Sequence, residues 1–398
     1  MTDRQTGKKR AASKATATIQ KAVRIDHEHI VLVLQGGGAL GAYQAGVFEE
    51  IARFPREPHW VAGVSIGAIN AALIVGNPPA RRVERLREFW ELVSSGANDQ
   101  CNHWWPGHDS LSHQFHAAVA SIFGVEGFYK PHVPPPFLQP DGTDAAISFY
   151  DSAPLRATLE RLVDFDLINS KKLRLSVGAA NVRTGNSVYF DNYHQKIGPE
   201  HIMASGALPP AFAPVMIDGE PYWDGGIVSN TPLQYVLDHR SAAKILIAQV
   251  DLFSARGAMP ANIANVMSRQ KDIIYSSRTR FNTDKVAQIQ RNKKTVLKLI
   301  SMLPKGERDK PDIKHLFAAN QTAHIDIVHL IYRQDRFELE SKDYEFSRAS
   351  MVRHWESGQR DMRNTIEHPD LLNKSNVDDG VTVYDLAHDH VQRGELAK

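Results

Sequence analysis

Two successive strand-to-helix units, each turning through glycine, restrict what the N-terminal part of this chain can fold into. In VLVLQGGGALGAYQAG, Val31 to Gly46, an apolar run passes through Gly36, Gly37 and Gly38 into residues with helical spacing. Ile30 to Leu34 carries no polar residue, the pattern of a strand covered on both faces of a parallel sheet. Leu40, Tyr43, Val47, Phe48 and Ile51 then recur at helical intervals and predict a helix from about Ala39 to Phe54, ended by Pro55 and Pro58. Trp60 to Val64 predicts a second strand, and IGAINAALIVG, starting at Ile66, a second helix. This order implies an α/β fold around a mainly parallel sheet.

Gly36, Gly38 and Gly41 also satisfy G-x-G-x-x-G, which between a strand and a helix can cradle a dinucleotide pyrophosphate. That reading needs an acidic residue at the end of the second strand to hold the ribose hydroxyls. The chain has Ser65 there, and no Asp or Glu lies between Glu57 and Glu84. The nucleotide reading therefore loses its second anchor. Residues Gly63-Val64-Ser65-Ile66-Gly67 instead form G-x-S-x-G. Its glycines clear side chains from a sharp turn, so the hydroxyl projects while the next helix aims its N-terminus at the same point. Ser65 is a candidate nucleophile, with Gly63 and Gly67 supporting the elbow. A neighbouring parallel strand would set the Gly36 to Gly38 loop beside it. Backbone N–H groups there, those of Gly37 and Gly38, can hold a developing oxyanion, each often worth ~3 kcal/mol.

Further along, Val83, Leu86, Phe89, Trp90 and Val93 mark an amphipathic helix. From about 95 to 150 the composition shifts to aromatics, His, Pro and Gly, which reads as a lid or binding insert, or as an irregular structural insertion. A helix near Ala153 to Val163, a hairpin turning at Arg183 to Asn186, a short helix near Glu200 to Ala204 and a buried-type strand at Lys244 to Asp251 follow. Ile263 to Met302 reads as long, charged helix; HIDIVHLIYR is a strand candidate, and a helix is predicted from about Ser347 to Thr365. The expected organisation is a basic tail at 1–24, a catalytic domain at 25–305 containing the 95–150 insert, and a largely helical C-terminal extension at 306–398.

A third glycine site, WDGGIVSNTP, places Asp224 at a tight turn made by Gly225 and Gly226. Aspartate is common in β-turns. Beside a serine, however, a carboxylate whose proton affinity is raised by burial can accept the hydroxyl proton without a histidine. The ordered set G-G-G-A-L-G, G-V-S-I-G and D-G-G resembles the patatin-like phospholipase family. The resemblance extends to ASGALPPAFAPV, Asn230 and Pro232, and covers Ile30 to Asp251. It implies a three-layer α/β/α fold and a lipid acyl hydrolase that cleaves carboxylic esters with a Ser–Asp dyad. Ser65 would be the nucleophile, Asp224 the general base, Gly36, Gly37 and Gly38 the oxyanion hole, and Gly225 and Gly226 the turn that supports the aspartate. Many members of the family carry Arg or Lys where this chain has Leu40. The C-terminal extension resembles an appended domain found in some bacterial members.

Lys plus Arg number 47 against 45 Asp plus Glu, so no overall field calls for a nucleic acid partner. Cys101 is the only cysteine, which excludes an internal disulfide and fits a reducing, cytoplasmic compartment. The first 24 residues hold seven basic side chains against Asp3 and read either as a solvated tail or as a segment drawn to anionic lipid. With a lipid ester as substrate, the second reading adds peripheral contact with a membrane or lipid bodies. No signal peptide is read at the start, and the most apolar run, Ile66 to Gly76, falls short of the ~20 residues that cross a bilayer. No cofactor is implied. His388-Asp389-His390 lies in a charged tail and no EF-hand-like loop is present, so no metal is expected. Two alternatives remain at this level. One is a Ser–His–Asp carboxylesterase using a histidine after Asp224, such as His239, His315, His324 or His329, all of which sit in helix- or strand-like stretches. The other is a catalytically silent lipid-binding or scaffolding protein.

Overall fold

In the computed structural model of the chain, the described residues are 27–95, 124–241, 244–276, 279–333, 340–368 and 380–385, with only the backbone considered at 279–283 and 340–341. The basic segment 1–24, the 96–123 part of the aromatic insert and His388 to His390 lie outside them. Strand β1 (His29–Leu34) runs through the middle of a nine-stranded sheet. Val31 and Val33 point into one apolar core and Leu32 and Leu34 into another, which is why the strand needs no polar residue. A single 3-10 turn at Gly38–Leu40 leads into α1 (Gly41–Ile51). Then come β2 (Trp60–Val64), α2 (Ile66–Val75) and α3 (Arg82–Val93).

The described part of the insert carries a small ribbon of β3 (Lys130–Pro131) and β4 (Tyr150–Asp151). Helices α4 (Ala153–Leu162) and α5 (Phe165–Asn169) precede β5 (Arg174–Asn181) and β6 (Ser187–Asp191), which form the expected hairpin. Helix α6 (Pro199–Gly206), β7 (Val215–Ile217), β8 (Glu220–Asp224), α7 (Leu233–Asp238) and β9 (Lys244–Asp251) follow. The long helical pattern after Ile263 is two helices, α8 (Ile263–Tyr275) and α9 (Thr279–Met302). Ser276 adopts extended backbone (φ −61°, ψ 145°), and that ends α8. Two short helices, α10 (Lys305–Arg308) and α11 (Pro311–Ala319), lead to β10 (His324–Ile331), α12 (Arg348–Ile366) and β11 (Val381–Tyr384).

Strands β11, β10, β9, β1, β2 and β5 lie side by side in that order and are all parallel. The sheet thus continues across residue 305, with β10 and β11 added beyond β9. Strand β5 turns the sheet antiparallel. One of its edges pairs with β6 at Ser176 to Ala180. Its other edge pairs with β2 as far as Val64 opposite Gly178, and then with β8 starting at Asp224 opposite Ala179. The ends of β2 and β8 therefore meet on one edge of one strand. Helices α1, α2 and α3 cover one face of the sheet, and α7 and α9 the other, giving three layers. Among the described residues, no helix is long and apolar enough to cross a membrane.

Helix α12 packs directly on α1. A Cβ on Gly358 would lie 2.1 Å from the Tyr43 carbonyl oxygen, and one on Gly46 would lie 1.9 Å from that of Trp355. Around this close approach, Tyr43 donates to Asp361 (2.9 Å), Trp355 Nε1 to Glu49 (2.6 Å) and Arg363 to Glu50 (3.0 Å). Helix propensity alone says that Gly358→Ala should stabilise the protein by up to ~1 kcal/mol. Packing says the opposite, and here it wins: denaturation should show Gly358→Ala destabilised by about 1–3 kcal/mol. Equal or higher stability would mean that the two helices do not meet this closely.

Candidate active site

The C-terminal ends of β1 and β2 open into one cleft, the usual place for a site in an open α/β sheet. Ser65 occupies the turn between β2 and α2 with φ 57° and ψ −127°, a left-handed conformation that costs a non-glycine residue energy. Its neighbours explain the motif spacing. A Cβ on Gly63 would sit 2.3 Å from the Gly67 carbonyl oxygen, and one on Gly67 would sit 2.4 Å from that of Leu34. No side chain fits at either position. The Ser65 N–H donates to Ser205 Oγ (2.9 Å), and that hydroxyl donates to the Gly178 carbonyl (2.6 Å). Ser205, near the end of α6, thus bolts the elbow to β5. It lies within ASGALPPAFAPV, but nothing in its local sequence indicates the bond to a residue so far away.

Asp224 ends β8 at the register position next to Val64, and only 2% of its surface is exposed. Its carboxyl lies beside the Ser65 hydroxyl in the cleft lining, and Oδ1 accepts from the Gly226 N–H (2.7 Å). Burial pushes the carboxyl up to about 7, and the neighbouring Ser65 hydroxyl and the Gly226 N–H oppose the rise. Gly225 must lack a side chain because its Cβ would lie 2.7 Å from the Gly178 carbonyl oxygen.

The glycine loop after β1 lies against both. A Cβ on Gly36 would meet Asn230 Oδ1 at 2.3 Å and the Ser65 Cβ at 3.0 Å. The Gly36 N–H donates to the Asn230 carbonyl (3.2 Å), so it is committed and cannot also serve an oxyanion. Of the three glycines expected to donate, Gly36 supplies space instead. Gly37 and Gly38 line the cleft beside Ser65, and their N–H groups bond to no described residue. Gly38 has φ +53°, and a Cβ there would sit 2.2 Å from the Asp343 carbonyl oxygen. Helices α1 and α2 both begin at this point, directing partial positive charge at the cleft. Leu40, which stands where many family members carry a cation, is fully buried in the core and does not line the cleft.

Two amide side chains, the buried Gln35 and the partly buried Asn230, hold the loop, and the sequence reading assigned a role to neither. Gln35 Oε1 accepts from the N–H groups of Leu252 (2.6 Å) and Phe253 (3.0 Å), while its Nε2 donates to Thr231 (2.9 Å) and to the Tyr275 carbonyl (3.0 Å). Asn230 Nδ2 donates to the carbonyls of Gly36 (3.1 Å) and Tyr275 (3.1 Å). One carbonyl at the end of α8 therefore ties the glycine loop to the segment that follows Asp224. The 340–346 segment closes over it through Lys271–Asp343 (2.8 Å) and Lys342–Asp272 (2.5 Å).

The cleft has a volume of about 280 Å³. Its walls are mainly apolar, with Ile66, Ile69, Phe212 and Phe253 joined by Phe128, Tyr129, Phe149 and Tyr150 of the insert and by Tyr344 and Phe346 from the C-terminal part of the chain. Among the described residues no histidine lines it. His329 bonds to Asp251 (2.5 Å), His239 stacks on Tyr235, and His324 approaches Asp326 (3.2 Å). His27, His324 and Asp326 bring potential metal-ligand atoms within 4.8 Å of one another, and none of the three lines the cleft.

A strained serine at a strand-to-helix elbow, facing a buried aspartate and a glycine loop, defines a hydrolase-like α/β site. A family model described as Patatin-like phospholipase matches residues 32–237, and a second, described as Patatin phospholipase, matches 273–378. The chain belongs to the patatin-like phospholipase family. A cGAMP-activated phospholipase of Escherichia coli (strain TW11681) is 27% identical over 225 residues, which is 51% of this chain and 53% of that protein. The chain thus spans about half the length of this curated relative. The solved structure of VipD from Legionella pneumophila aligns with a TM-score of 0.36 and 12% identity, over 93% of this chain and 74% of that one.

The Asp224 carboxyl also has a consequence for stability. Its folded value, about 7, lies above the unfolded value of 3.8, so between them the folded state binds more proton and stability falls as pH rises. Above pH 7 the loss is about 4 kcal/mol. Asp224→Asn should therefore be more stable than the parent protein at pH 8, with the difference vanishing by about pH 4. A pH series of denaturation curves checks this, and equal stability at pH 8 would mean that the carboxylate is not buried.

Proposed function

We propose that the protein hydrolyses carboxylic esters of lipids with Ser65 as nucleophile and Asp224 as general base. The observation that carries this reading is the placement of the Ser65 hydroxyl beside a buried carboxyl raised to about 7, at adjacent positions on one edge of β5. Asp224 takes the proton as Ser65 Oγ attacks the ester carbonyl carbon. The resulting oxyanion lies toward the N–H groups of Gly37 and Gly38. The carbon–oxygen bond to the alcohol breaks, and Asp224 returns its proton to the departing oxygen. Water then attacks the acyl-serine and gives its proton to Asp224; the carboxylic acid leaves and Ser65 is restored. Family membership supports a lipid substrate, and the apolar cleft supports an acyl chain as the group it holds. In this reading the described part of the insert, 124–150, covers the acyl site through Phe128, Tyr129, Phe149 and Tyr150. A dyad is favoured over a histidine triad by the buried carboxyl beside Ser65 and by a described cleft lining that lacks histidine.

Fatty acid release from phospholipid and p-nitrophenyl esters tests the assignment. Ser65→Ala should lose at least about 10³-fold in kcat/KM, and Asp224→Asn about 10²–10⁴-fold. Full rates in either variant would remove that residue from the mechanism. Because the base must be ionised, kcat/KM should fall about tenfold per pH unit below about 7 and level off above it. An inflection that survives in Asp224→Asn would belong to another group.

A further inference from the structure

Helix α8 has its polarity reversed. Its outward stripe is Ile263, Val266, Met267, Ile273 and Ile274, at helical spacing, with Ile263 74% and Ile274 63% exposed. Its charged residues face the protein instead. Lys271 pairs with Asp343, Asp272 with Lys342, and Arg269 donates to the carbonyls of Ser254 (3.0 Å) and Ala255. Rolling the stripe inward would break both ion pairs and the clamp on the Tyr275 carbonyl, so the apolar face is fixed outward.

The same kind of exposure recurs in two other segments that border the cleft. Phe137 is 79% exposed, in the insert that also supplies the cleft-lining Phe149 and Tyr150. Ile227 and Val228 are exposed directly after Gly226, which lines the cleft, and α8 itself ends on the cleft-lining Tyr275. Three separate stretches of chain that contribute residues to the cleft thus each carry apolar side chains into solvent. Five large apolar side chains exposed along one face of one helix are unusual on a monomer's surface and mark an interaction face. We propose that this face docks on a lipid surface, with the α8 stripe inserted at the level of the headgroups so that the cleft opens toward the lipid. The partner follows from position, since apolar groups framing an apolar, acyl-sized opening suit the phase that holds the acyl chains. This rests on the lipid ester reading of the cleft. Because the charges of α8 point inward, its contribution is apolar and largely insensitive to salt, unlike attraction of the basic 1–24 segment to anionic lipid.

The test uses the full chain and phosphatidylcholine vesicles at high salt, comparing the parent protein with the triple variant Ile263→Gln, Met267→Gln, Ile274→Gln. Vesicle flotation should show binding by the parent and at least about tenfold weaker binding by the variant. Vesicle hydrolysis should fall in step, while cleavage of soluble p-nitrophenyl butyrate stays unchanged, which also shows that the variant is folded. Absence of binding by the parent, or equal binding by both, overturns the proposal. So does sedimentation showing a lipid-free dimer that the variant dissociates, because the stripe would then be a contact between two copies. If the soluble ester is not cleaved by the parent, the hydrolase reading fails, and flotation still judges the surface.

Discussion

The contact between the Ser65 hydroxyl and the Asp224 carboxylate depends on two strands ending at adjacent positions on one edge of β5. Val64 pairs with Gly178 and Asp224 with Ala179, so neither residue can shift without breaking the sheet. The surrounding residues tighten that arrangement. Ser205 joins the elbow N–H to the same stretch of β5, and the Gly226 N–H fixes the carboxylate. A pair of groups held this way needs little reorganisation to react, which is the sense in which a site is preorganised.

That arrangement works against stability, and the structure compensates nearby. A carboxylate taken out of water and a serine in left-handed backbone are both unfavourable. The same few turns of chain contain Gln35, fully buried with its side-chain oxygen and nitrogen both bonded, and Asn230, which bridges the glycine loop to α8. Through the Tyr275 carbonyl and the ion pairs of Lys271 and Lys342, the C-terminal part of the chain becomes a wall of the cleft. Its contribution to the site is therefore structural as well as covalent continuity with the rest of the chain.

Much of the site was legible in the sequence because each glycine motif answers a local demand. Gly63 and Gly67 leave no room for a Cβ, and a serine between them at the end of an apolar strand has few other uses. The family resemblance gave Gly36 a donor's role as well, whereas its N–H is bonded to the Asn230 carbonyl. Contacts made over long separations were not legible. Nothing around Ser205, Gln35 or Tyr275 reveals which distant atoms they bond. The position of the break between α8 and α9 was not legible because both helices share one periodic, charged pattern. That pattern does disclose an apolar stripe on α8, but not that it faces outward, since this is decided by Asp343 and Lys342, some seventy residues later.

The central claim is that Asp224 activates Ser65. The most direct measurement is the rate at which a small fluorophosphonate modifies the protein, with the adduct located by peptide mass spectrometry in the parent and in Asp224→Asn. The account predicts an adduct on the peptide containing Ser65 and a labelling rate about 10²–10⁴-fold lower in the variant. An adduct on another residue, or an unchanged rate in a folded Asp224→Asn protein, would contradict it.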